Sequence, residues 1–152
     1  MASIKTLLQT IQADLLGESS LDFFGTRIQC SQAGYFNPEH VRRPNLVISP
    51  ALEAPRPEGQ RLVNARDDVV TIIYYAYQDE FGTEDGLFGD GTRLKGILDI
   101  AKDLKVYLEN NHFSGTTVTK WESTEYPNYF DRNFEMLSET RLTFTYGLRG
   151  AY

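Results

Sequence analysis

The chain predicts an α+β domain, a mixed or antiparallel β-sheet with two amphipathic helices packed on one face and long loops. Three observations predict it. Two segments carry apolar residues at helical spacing, five others read as strands, and the last two strands follow one another without an intervening helix. The 152 residues fit a single domain spanning 1–152, long enough to bury a core without disulfides or metals.

In the opening segment Ile4, Leu7, Leu8, Ile11, Leu15 and Leu16 line one helical face, with Ser3 placed to cap its start and Gly17 to stop it. Its one basic residue, Lys5, sets it apart from membrane-surface helices, whose polar faces are rich in Lys and Arg. "LDFFGTRIQC" (21–30) then reads as a strand. The stretch 31–66 holds five of the six prolines, and "PNLVISPAL" is its one extended piece, with Pro44 and Pro50 at its limits marking an edge or a strand end. So loop-rich a stretch is usually functional or mobile, and an arm reaching a neighbouring subunit is one use for it.

"DVVTIIYYAYQ" (68–78) sets Val70, Ile72, Tyr74 and Ala76 against Val69, Thr71, Ile73, Tyr75 and Tyr77, so both faces can be covered and the strand is central. A second helix, from about Thr92 to Glu109, carries Leu94, Ile97, Leu98, Ala101, Leu104 and Leu108 as its stripe. Asp90 or Thr92 can cap it, and Asn110, Asn111 or Gly115 can take a left-handed exit. In "TTVTKWESTEY", simple alternation puts Val118, Lys120, Glu122 and Thr124 opposite Thr117, Thr119, Trp121, Ser123 and Glu125. In "NFEMLSETRLTFTYG", Phe134, Met136, Leu142, Phe144 and Tyr146 oppose Glu135, Glu139, Arg141, Thr143 and Thr145. The connector "PNYFDR" is short enough for an antiparallel pair.

Composition narrows the function. A net charge of −6 excludes a general nucleic-acid surface, which needs clustered Lys and Arg; the only basic cluster is Arg42 and Arg43, with Arg56 and Arg61 further along. The aromatics around Arg132 read as a packed hairpin turn. Cys30 is the only cysteine, which rules out an internal disulfide, fits a reducing compartment and reads as a small buried hydrophobe. No secretory signal is expected from "MASIKTLLQTIQADLLG", and no run reaches the ~20 apolar residues of a membrane helix.

"DEFGTEDGLFGDGT" (79–92) comes nearest to a chemical motif, with four glycines and five carboxylates. An EF-hand started at Asp79 puts Phe81 at its third position and Glu84 where glycine belongs; one started at Asp85 fails at Leu87 and Gly89. "GLFGDG" has its glycines in the wrong order for a dinucleotide fingerprint, and no Gly-Lys-Ser/Thr follows. The segment therefore reads as a solvated, flexible acidic connector, with no cofactor. Glu122, Glu125, Glu135 and Glu139 read as mostly solvent-facing, which leaves no carboxylate pair in a cleft. His40 and His112 fall in loops and complete no zinc ligand set, so neither a metal site nor a catalytic residue is expected.

An N-terminal amphipathic helix, "PNLVISP" after a loop, the long strand "VVTIIYYAY", an acidic loop, the helix "TRLKGILDIAKDLKVYLENN" and a hairpin ending in "RLTFTYGLRG" together resemble the tail-terminator (tail-completion) family of tailed bacteriophages. The resemblance covers most of the chain and is one of architecture. It implies a noncatalytic structural protein of the virion, made in the host cytoplasm. Such a protein forms a ring, typically hexameric, that caps the tail tube, ends its polymerisation and presents the head or neck attachment surface. Its partners would be further copies of itself, the tail tube protein, and sheath and head–tail connector proteins, with DNA only passing through the lumen and no membrane. Tyr35, Phe36, Arg42, Arg43, Arg56 and Arg61 in one loop, and Asp79, Glu80, Glu84, Asp85 and Asp90 in the other, are the interface candidates, and an acidic lumen loop would repel passing DNA. Head–tail connector or stopper proteins share this texture. From another class, a small cytoplasmic enzyme or ligand-binding domain would use the acidic segment 79–92.

Overall fold

A computed structural model describes residues 3–19, 28–32, 45–55, 65–77, 84–89, 91, 96–111, 113, 116–130 and 136–149. In chain order these form α1 (Ile4–Leu16), β1 (Ile28–Cys30), β2 (Asn45–Pro55), β3 (Ala65–Tyr77), α2 (Glu84–Phe88), α3 (Ile97–Glu109), β4 (Thr116–Glu125), β5 (Asn128–Phe130) and β6 (Met136–Arg149). The strands make one mixed sheet in the order β1-β2-β3-β6-β4, with β5 also on β6. β1 runs parallel to β2 and every other pair is antiparallel. The fold is α+β, as the sequence predicts.

α1 begins where the sequence places it: Ser3 is extended, and its hydroxyl accepts the Thr6 N–H at 3.2 Å. Leu7, Ile11 and Leu15 are buried, whereas Leu16 is exposed at the helix end. Gly17 closes α1 with a right-handed φ of −86°, so no left-handed turn is made. At the C-terminus of α3, Asn110 has the same right-handed φ of −86°. α3 starts at Gly96 without a side-chain cap, and its stripe is Ile97, Ile100, Ala101, Leu104 and Leu108, with Leu98 exposed. The expected caps Asp90 and Thr92, together with Leu94, His112 and Gly115, lie outside the described residues.

β3 is central, with β2 on one side and β6 on the other along nearly its whole length. Val70 and Ile72 join Leu46, Ile48, Leu142, Phe144 and Tyr146 on the face that receives Leu7, Ile11 and Leu15 of α1 and Leu104 and Leu108 of α3. Two side-chain bonds lock the helix layer together, the Tyr107 hydroxyl (2.7 Å) and the Asn111 amide (2.6 Å) both donating to Asp14 Oδ2. The Gln12 amide donates to the Ile28 carbonyl at 3.1 Å and ties α1 to β1.

Pro50 does not end β2, which continues to Pro55 through a register shift between Pro50 and Leu52. The reason lies in strand geometry. The Ser31 N–H donates to the Ile48 carbonyl from the β1 side, so two residues on, at Pro50, the missing N–H faces the same outer side, beyond the end of β1, and no bond to β3 is lost. β4 likewise departs from simple alternation. A shift between Trp121 and Ser123 turns Thr124 onto the face of Trp121, whose indole N–H donates to the Thr124 hydroxyl at 3.0 Å. The closing hairpin forms, but part of its expected connector is strand: β5 continues the line of β4 past Pro127, whose carbonyl accepts the Glu139 N–H at 3.0 Å.

Tyr146 is fully buried with its hydroxyl unbonded, and burial pushes that hydroxyl well above the ordinary tyrosine range. The folded state thus holds the phenolic proton more tightly than the unfolded chain does. The corresponding stability is intact below pH about 10, the unfolded value, and is lost as the pH climbs above it. Tyr146→Phe is expected to be neutral or to stabilise by up to about 1 kcal/mol at pH 7, and to reduce the loss of stability above pH about 10. Urea unfolding of both proteins across that range checks it.

Candidate assembly surfaces

The acidic segment contains structure. Glu84–Phe88 form one turn and a half of helix, α2, in place of a wholly flexible connector. Gly89 and Gly91 follow with φ of 87° and 79°, in the left-handed region that favours glycine. α2 ends directly on the start of α3: a Cβ added at Gly96 would sit 2.5 Å from both Gly89 N and Leu87 O and would overlap the Phe88 carbonyl carbon. Gly96 therefore permits backbone-to-backbone packing that no other residue allows. It lies inside "TRLKGILD", where a helix-start reading directs attention to the polar residues upstream. This contact holds Leu87 and Phe88 outward, 39% and 59% exposed.

Of the interface candidates, Glu84 is exposed on the first turn of α2 and Asp85 follows it in the same helix. Tyr35, Phe36, Arg42, Arg43, Arg56, Arg61, Asp79, Glu80 and Asp90 lie outside the described residues, as do His40, Arg132, Phe134, Glu135 and residues 21–27. Among the described residues no group of three or more His, Cys, Asp or Glu side chains is placed to hold a metal ion. No helix in them is long and apolar enough to cross a membrane.

Two readings of single residues are corrected. Cys30 is exposed, because it ends the short edge strand β1. Its thiol lies 3.5 Å from the Leu8 carbonyl, and partial burial raises its pKa, which keeps it protonated and a poor nucleophile at neutral pH. Glu139 is buried, while Glu122 and Glu125 are exposed as expected. Glu139 and Arg141 are two residues apart on one strand, hence on one face, and pair at 3.1 Å on the side of the sheet away from the helices. Asp68, also fully buried, stands opposite Tyr146 on the helix side. Neither buried carboxylate stands out in a sequence where alternation alone sorts inward from outward.

The sheet edges are irregular. β4 forms one edge and has register shifts between Thr116 and Val118 and between Trp121 and Ser123. On the other side, among the described residues β1 pairs with β2 from Leu46 to Ile48, and the part of β2 beyond it carries Pro50 and a register shift against β3. Such bulges and prolines oppose the regular addition of a further strand. At Glu122 the β4 bulge gathers Lys120 (3.5 Å) and the Thr145 hydroxyl (3.0 Å) around one carboxylate oxygen. On the helix face, Lys105 Nζ lies 3.9 Å from the Trp121 ring centroid, a cation–π contact between α3 and β4.

No family model matches the chain. No curated protein sequence matches it significantly.

Gly96→Ala is expected to destabilise the protein by about 1–3 kcal/mol, since the φ of −70° suits alanine and the cost is backbone overlap with the end of α2. Denaturant unfolding measures it. A loss below about 0.5 kcal/mol would contradict the tight α2–α3 junction.

Proposed function

We propose that this chain is a ring-forming structural protein of a phage tail, of the tail-terminator kind, that caps the tube and offers the neck its attachment surface. The observation that carries the reading is the order of elements around a one-sided helix layer. An N-terminal helix, an early strand, a long central strand, an acidic segment, a second helix and a closing hairpin succeed one another as in the family the sequence resembles. A one-sheet domain of this size suits a subunit whose remaining surfaces meet copies of itself.

The irregular edges bear on how such a ring would close. Joining subunits by continuing the sheet would need flat, regular edge strands, whereas among the described residues β4 and the part of β2 beyond β1 carry register shifts. Contacts through loops and through α2 are the better match to this subunit. A closed ring requires a head-to-tail interface repeated by rotation, in which two different surfaces of each copy meet.

The purified chain is expected to run in native mass measurement at micromolar concentration as a single closed multiple of its 17.3 kDa subunit. A strictly monomeric protein over the same range, with no assembly on tube ends, would remove the support for a ring.

A further inference from the structure

We draw no further inference here: the strongest candidate, the exposed apolar surface patch of Leu87 and Phe88 at the end of α2, held outward by the backbone contact at Gly96, carries none because nothing in the structure shows what covers it.

Discussion

The structure depends on burial of the central strand. β3 pairs with β6 along its whole length and with β2 along nearly all of it, and Val70 and Ile72 lie under the helix layer at zero exposure. An antiparallel sheet can leave one face wet, but a strand flanked on both sides and covered by helices must be apolar along that face. The side chains of β2, β3 and β6 meet this demand in register: Ile48 stands opposite Ile72, and Ile72 opposite Leu142. Each such row is a continuous apolar surface on which α1 and α3 settle, and removing apolar area of this kind from water is the dominant favourable term in folding. The Asp14 bonds to Tyr107 and Asn111 then fix the two helices against each other. Through the Gly96 contact, α3 in turn places the exposed Leu87 and Phe88 at the end of α2.

The second face of the sheet obeys different chemistry. Val47 and Ile73 are buried there, but so are Asn45, Ser49 and Glu139, and the Asn45 amide and the Ser49 hydroxyl make no hydrogen bond. Buried polar groups left unbonded cost stability that the helix-side core must offset. The helix-side face supplies most of the apolar cohesion, although it too holds the buried Asp68 and the unbonded Tyr146 hydroxyl.

Much of this was legible in the sequence where one periodicity dominates. α1 is readable from its cap to its last buried residue because Ser3 and the 3–4 spacing agree, and β3 because a long β-branched and aromatic run admits no helix of that length. The hairpin is readable because its strands alternate. The sequence loses its hold where a single residue breaks a period. The bulge before Ser123 reverses the faces of β4 after Trp121, and Pro50 stays inside β2 because its missing N–H faces away from β3. Neither can be predicted without knowing which strand is the neighbour. Burial of Glu139 and exposure of Cys30 depend on tertiary position for the same reason. At the candidate site, the acidic segment was recognisable by composition, whereas the helical turn of α2 within it was not. Its placement comes from Gly96, a residue whose role exists only when two backbones approach each other.

The function proposed for this chain is that of a ring-forming tail terminator. Electron microscopy of the purified chain mixed with its own tail tubes tests this most directly. The expected result is a ring of several copies on one end of each tube, with tube growth arrested there. Tubes with bare ends that keep growing, under conditions where the chain is folded, would contradict it.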